Sequence, residues 1–254
     1  RSGISPVPGV DLRAADVLQP GTLVPLRHLP PVDWMVCALS GTGTRDPVAY
    51  RSLYVDGPAS AADALPWSGP RRVLFLGSTG VFGDTQGDWV DESTPPDPAH
   101  RAGEVQCEAE AALAAVTDTA CILRLSGLYG PGRVRLIRQA LRRRPYLKPD
   151  IWSNQVHRDD VAGAVRFVLT QPTPPPPLLL LSDPAPALRR EIFDWVRHTL
   201  QAPDGWYDED HPHRAQTDRG NKRVSSRRIQ ALGYTFRVPD YRAGLRPELP
   251  EARR

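Results

Sequence analysis

Four short apolar runs, each closed by turn residues, constrain this chain more than any other feature. They are 33–40 (DWMVCALS), 72–78 (RVLFLGS), 120–126 (ACILRLS) and 178–182 (LLLLS). Their interiors are continuously apolar rather than alternating, the pattern of parallel strands covered on both faces. A weaker strand is expected over 10–15. Between the runs, apolar residues recur with a helical period over 46–65, 101–116, 133–141, 158–169 and 187–200. Gly57-Pro58 should bend or split the first of these helices. Strand and helix in alternation predict an α/β fold with a doubly wound, mostly parallel sheet.

Ligands of such sheets sit outside the carboxyl ends of the strands. Three of the four runs end there in a hydroxyl residue followed by glycine or a loop: Ser40-Gly41, Ser78-Thr79-Gly80 and Ser126-Gly127. A turn explains any one of them; three together favour a cleft. The 254 residues suffice for one large domain, or a domain plus a small lobe, with a buried core. Proline is abundant, at 28 residues, and 172–177 (PTPPPP) reads as a stiff spacer before the last strong strand.

The remaining features argue mostly by exclusion. A net charge of +3, with acids spread among the bases, does not call for a nucleic acid or membrane partner. Arg142-Arg143-Arg144 reads as a solvated helix end. No run of about 18 apolar residues is present, so no transmembrane helix is expected. Cys37, Cys107 and Cys121 show no paired spacing and read as reduced thiols of a cytoplasmic protein. The polar stretch 201–219 is expected to be loop. Its Asp208, Glu209, Asp210, His211 and His213 form the densest set of metal-ligand types. They lack the helical spacing of a catalytic zinc site, so no metal is expected. A short helix over 224–232 and a short strand over 233–238 complete the chain.

Read in order, the motifs are Ala15-Asp16-Val17, then Ser78-Thr79-Gly80-Val81-Phe82-Gly83-Asp84, Trp89-Val90-Asp91-Glu92 and Arg124-Leu125-Ser126-Gly127-Leu128-Tyr129-Gly130-Pro131-Gly132. Val156-His157-Arg158-Asp159-Asp160-Val161-Ala162 follows, with Asn221-Lys222-Arg223-Val224-Ser225 and Leu232-Gly233-Tyr234 closing the series. This set resembles the extended short-chain dehydrogenase/reductases of the NAD-dependent epimerase/dehydratase superfamily, and its atypical members above all. The resemblance implies a Rossmann-type NAD(P)-binding domain over 1–170. Residues 171–254 would add the last core strand and a small α+β C-terminal substrate lobe.

On that resemblance, Asp16 and Val17 lie beside the adenine, and Ala38, Leu39 and Ser40 line the strand end under the cofactor. Leu125 and Ser126 meet the nicotinamide. Arg1 and Ser2 fall where an arginine favours the extra phosphate of NADP. Ser78 matches the catalytic serine position, with Thr79 beside it, and Tyr129 is the nearest alternative proton donor. A packed aromatic serves equally well as an account of Tyr129. His157, Arg158, Asn221, Lys222 and Arg223 are the candidate substrate contacts; Asp159 and Asp160 read as caps. The implied partner is a small-molecule substrate, and the helices at 46–65 and 101–116 allow a homodimer.

Two departures from the family pattern matter. The Tyr/Lys pair expected on the helix before Glu110 is replaced by Ala102 and Gln106, so neither the phenol nor its pKa-lowering cation is present. No G-x-G-x-x-G occurs in the sequence, and the pyrophosphate cradle depends on that loop. The simplest expectation places the first strand, its glycine loop, the first helix and most of the second strand before Arg1. This chain alone should then bind a dinucleotide weakly or not at all, and the strand at 33–40 should have an open edge. Two functions follow: an NAD(P)-dependent oxidoreductase or epimerase/dehydratase-like enzyme on a small, sugar-like metabolite, or a catalytically degenerate dinucleotide-binding sensor or partner-binding protein. A hydrolase using 208–213 is a weaker third.

Overall fold

The computed structural model describes residues 7–41, 46–142, 150–203 and 220–250. Arg1, Ser2, Arg143, Arg144 and the stretch 208–213 lie outside them. The strands are β1 (Met35–Cys37), β2 (Val73–Ser78), β3 (Trp89–Val90), β4 (Ala120–Leu125), β5 (Gly127–Tyr129), β6 (Trp152–Ser153), β7 (Gln155–His157), β8 (Leu178–Leu181), β9 (Ala187–Leu188) and β10 (Arg223–Val224). The α-helices are α1 (Pro47–Tyr54), α2 (Asp56–Ala64), α3 (Arg101–Val116), α4 (Arg135–Ala140), α5 (Arg158–Thr170), α6 (Arg189–Thr199), α7 (Arg227–Ala231) and α8 (Tyr241–Leu245). All four strong runs contain a strand of one sheet, in the order β1-β2-β4-β8. β1 runs parallel to β2, with Met35 opposite Val73, and β4 runs parallel to β8, with Ile122 opposite Leu178. This is the α/β, mostly parallel arrangement that the unbroken apolar runs imply.

Backbone contacts divide the chain into two units, one of Arg1–Leu76 and Val105–Cys121, the other of Gly77–Glu104 and Ile122–Arg254. In the first, Asp46 caps α1 by accepting the Val48 N–H at 2.9 Å. The helix over 46–65 breaks at Val55, two residues before Gly57-Pro58. Pro58 lacks the N–H that would bond the carbonyl of Tyr54, so it is accommodated in the first turn of a new helix instead. Gly57 is tied to its neighbour, because a Cβ there would stand 2.8 Å from Val17 Cγ2. Residues 10–15 form no strand, contrary to the weak run, and they are exposed. They have no partner strand among the described residues, and an isolated strand leaves its hydrogen-bonding groups to water.

In the second unit, a core of Tyr129, Ile137, Ile192, Phe193, Val196, Tyr241, Leu245 and their neighbours joins α4, α6 and α8. The amide of Leu180, on β8, donates to Glu92 Oε1 at 2.9 Å, a side chain standing in for a further strand. The expected helix over 224–232 is shorter, because β10 takes Arg223–Val224 and leaves only α7. The expected strand over 233–238 does not form. The amides of Arg237 and Val238 donate to the Asp160 carboxylate at 2.7 and 3.0 Å, which leaves them unavailable to a ladder.

Candidate active site

β2 is buried along most of its length and ends in Ser78, where the chain turns sharply. Ser78 Oγ accepts the Gly80 N–H at 3.0 Å and so caps the short 3-10 turn Thr79–Val81. Thr79 Oγ1 donates to the Leu125 carbonyl at 3.3 Å. Ser126 N donates to the Leu181 carbonyl at 3.0 Å. That leaves the Ser126 hydroxyl buried, with no hydrogen-bond partner among the described residues. Ser78, Thr79, Leu125 and Ser126, separated by nearly fifty positions in sequence, are therefore gathered at the carboxyl ends of β2, β4 and β8.

His100 stands beside this group and was not anticipated from sequence. Its Nδ1 accepts the Gly103 N–H at 3.0 Å at the start of α3. A Cβ placed on Gly80 would lie 3.2 Å from Ser78 Oγ, 3.5 Å from His100 Cε1 and 3.7 Å from His100 Nε2. Gly103 allows the close approach: a Cβ there would fall 2.4 Å from the Gly80 carbonyl oxygen. The available sequence signal was a histidine three residues before a glycine at a helix start, in cap position.

Tyr129 is 1% exposed; its hydroxyl donates to the Asp240 carbonyl at 3.2 Å, and its ring meets His157 edge-on at 5.3 Å. Burial first, and the nearby Asp183 next, push its ionisation above the ordinary tyrosine range. His157 is buried and caps α5 by accepting the Asp159 N–H at 3.3 Å. Arg158 Nη1 donates to the Pro131 carbonyl at 2.8 Å. Asp160 is fully buried and fully used: besides the two amides already named, it accepts from Tyr234 Oη at 3.0 Å. Asp183, two residues beyond β8, is the opposite case. It is 2% exposed and neither carboxylate oxygen has a hydrogen-bond partner among the described residues. Burial pushes its carboxyl up to about 8, and the Ala185 amide nearby offsets only part of that. An acid directly after LLLLS was its sequence signal.

The candidates of the last block form a separate cluster. Lys222 is buried, and its Nζ donates to the carbonyls of Phe82 and Gly83 at 2.8 and 3.4 Å. Asn221 Oδ1 accepts the Trp152 N–H at 2.9 Å, and its carbonyl accepts the Thr85 and Gly87 amides. Arg223 Nε donates to the Gly87 carbonyl at 2.7 Å while its guanidinium lies over both Trp89 and Trp152, 5.1 and 5.0 Å from the ring centres. The Lys222 and Arg223 side chains and the Asn221 backbone carbonyl thus brace the turn that follows Phe82, while the Asn221 side chain holds β6.

Asp16, Val17, Ala38, Leu39 and Ser40 belong to the first unit. The Asp16 carboxylate accepts the Leu18 N–H at 2.9 Å and Gln19 Nε2 at 3.2 Å, and Val17 packs on Gly57. Beyond Ser40, the Gly41 amide donates to Tyr54 Oη at 2.8 Å. Ala102 is exposed, whereas Gln106 is buried with no partner for its Oε1 among the described residues. No group of three or more metal-ligating side chains occurs among the described residues.

A mostly parallel α/β sheet of this kind is the Rossmann-type fold, whose ligands sit at the carboxyl ends of the strands. Residues 37–177 match the NAD dependent epimerase/dehydratase family. The chain belongs to that family. It is 32% identical over 172 residues to Protein YeeZ of Escherichia coli (strain K12), a match covering 66% of this chain and 59% of YeeZ. The match thus spans about three-fifths of the length of that curated relative. A Methylobacillus flagellatus structure assigned as an NAD-dependent epimerase/dehydratase superposes with a TM-score of 0.79 at 33% identity, covering 100% of this chain and 88% of that one. The UDP-glucose 4-epimerase of Thermus thermophilus, solved as its NAD complex, shares the fold with a TM-score of 0.77 at 17% identity, covering 97% and 86%.

Proposed function

We propose that this protein is an NAD(P)-dependent oxidoreductase or epimerase/dehydratase-like enzyme acting on a small, sugar-like metabolite. The observation that carries the reading is the gathering of Ser78, Thr79, Leu125 and Ser126 through the hydrogen bond from Thr79 to Leu125, with the Ser126 hydroxyl buried and unpartnered among the described residues. A buried polar group without a partner is costly, and a bound ligand amide or hydroxyl would satisfy it. The nicotinamide end of a dinucleotide is assigned to this group. The glycine loop that would hold its pyrophosphate is not among the 254 residues.

Leu125 and Ser126 would hold the nicotinamide, while Asp16, Val17, Ala38, Leu39 and Ser40 are assigned to the adenine half. Arg1 and Ser2 would favour NADP. The bound dinucleotide would supply a hydride acceptor or donor. Ser78 would orient the reacting oxygen by hydrogen bonding, since a serine hydroxyl is neither acid nor base near neutral pH. The sugar-like substrate is supported by the Thermus protein's substrate, UDP-glucose, and by the polar groups at the strand ends.

The test is NADH or NADPH formation by the product of the complete reading frame across a panel of nucleotide sugars and free polyols. Turnover of one class supports the reading. Dinucleotide binding with silence across the panel favours the sensor reading instead, for which the loss of the Tyr/Lys pair at Ala102 and Gln106 speaks.

A further inference from the structure

On the reading that puts Ala102 at the family's tyrosine position, the site is still not without donors. We propose that Ser78 Oγ–H and His100 Nε2–H form a two-donor cradle for a carbonyl or alkoxide oxygen of the substrate, His100 standing in for the missing phenol. The inference rests on the reading of the chain as a dinucleotide-dependent enzyme, and adds the group that polarises the reacting oxygen.

Hydrogen-bond direction fixes both donors. The single Gly103 N–H is shared between the His100 carbonyl at 2.8 Å and His100 Nδ1 at 3.0 Å, so Nδ1 is an acceptor and the neutral ring bears its proton on Nε2. Ser78 Oγ accepts the Gly80 N–H at 3.0 Å, which leaves its own proton to donate elsewhere. Both donors flank Gly80: Ser78 Oγ and His100 Nε2 lie 3.2 and 3.7 Å from the point a Cβ would occupy on that residue. No side chain intrudes from residue 80 itself.

The ring is also held in place. Gly103 brings the first turn of α3 against the Gly80 carbonyl so closely that no larger residue fits, and the amide of Gly103 is the one that grips Nδ1. His100 remains half-exposed, whereas Tyr129 and His157 are buried and already bonded to backbone groups. A neutral imidazole at a helix start, presenting one N–H to a carbonyl, polarises it without giving up a proton, a pattern known from isomerase chemistry. Two preorganised donors of this kind match the charge that develops on a carbonyl oxygen as a hydride from the reduced nicotinamide adds to its carbon, and the resulting alkoxide takes its proton from solvent water.

Two measurements on the product of the complete reading frame test the cradle. The first is ¹⁵N NMR of histidine-labelled protein at pH 7.5, with His100 assigned through His100→Asn, whose side chain retains a cap acceptor. The expected result is a protonated Nε2 and a bare Nδ1; the opposite tautomer, or a doubly protonated ring, overturns the proposal. The second is NADH- or NADPH-dependent reduction of DL-glyceraldehyde as a carbonyl probe. His100→Asn and Ser78→Ala should each lower kcat by about 10²-fold or more with the dinucleotide Kd unchanged. A His100→Asn protein that keeps the wild-type rate overturns the cradle, as does a wild-type protein that binds the dinucleotide and reduces no probe. Absence of dinucleotide binding withdraws the underlying reading instead, and the NMR result then decides the donor geometry alone.

Discussion

Replacing Asp183 by asparagine should change how stability depends on pH more than any other single substitution in the second unit. The carboxyl is 2% exposed, neither oxygen has a hydrogen-bond partner among the described residues, and burial raises its pKa from 3.8 to about 8. Asp240 and Asp160 add like charge in the same direction. The sign follows from proton counting. Between the two values the folded protein keeps a proton that the unfolded chain releases, so this group's contribution is full below pH 4 and is lost as pH rises through 8. At about 1.4 kcal/mol per pKa unit, the rise from pH 5 to pH 8 costs the folded state about 4 kcal/mol. Asparagine keeps the shape and cannot ionise. Urea unfolding of wild type and Asp183→Asn at half-unit steps from pH 5 to pH 8.5 isolates the group, because every other titration is common to both proteins. The variant should gain about 4 kcal/mol on wild type over that range. Two stability curves that stay parallel within about 0.5 kcal/mol would refute the reasoning, since the carboxyl would then ionise as it does in water.

Asp160→Ala would leave the Arg237 and Val238 amides without their acceptor, while the Tyr234 hydroxyl keeps its 2.8 Å bond to the backbone carbonyl of residue 160. At about 1–3 kcal/mol for each of these two donors, the loss in a urea melt should exceed about 2 kcal/mol; a change below about 1 kcal/mol would contradict that network. Gly103→Ala places a methyl 2.4 Å from the Gly80 carbonyl and 2.8 Å from Pro98, which forces α3 off the turn. A stability loss of about 1–3 kcal/mol is expected, and an unchanged melting curve would show that the contact is not tight. Burial pushes the Cys37 thiol up to about 12, so its thiolate is scarce at pH 8. Peptide mapping after thiol labelling should find Cys37 modified in guanidinium and not in the native protein; equal labelling in both would be the contrary result.

The parallel sheet was legible because burial on both faces leaves no polar residue inside a strand, and the apolar runs of β2, β4 and β8 follow that rule but for Arg124. Elements decided by side chain-to-backbone bonding were not. Asp160 reads as a helix-start acid, but its carboxylate reaches across 77 positions to take the Arg237 amide and cancels the expected strand there. Val224 looks like the start of a helix until the pairing of β10 with β3 is known. The site divides in the same way. Hydroxyls at strand ends are visible as local sequence, and Ser78, Thr79 and Ser126 do converge. His100 and Asp183 were missed because their significance lies in what surrounds them: a glycine that admits the ring, and a pocket that denies a carboxylate its partners. Lys222 illustrates the reverse error of emphasis. Its charge suggests an anionic ligand, whereas its ammonium is buried against the carbonyls of Phe82 and Gly83.

Calorimetric titration of NADH and NADPH into the product of the complete reading frame tests the central proposal most directly. The account predicts saturable binding of at least one of them in the micromolar range, about −7 to −8 kcal/mol. Absence of saturable heat for both at about 1 mM, the range beyond which enzymes rarely use a substrate or cofactor, would contradict it.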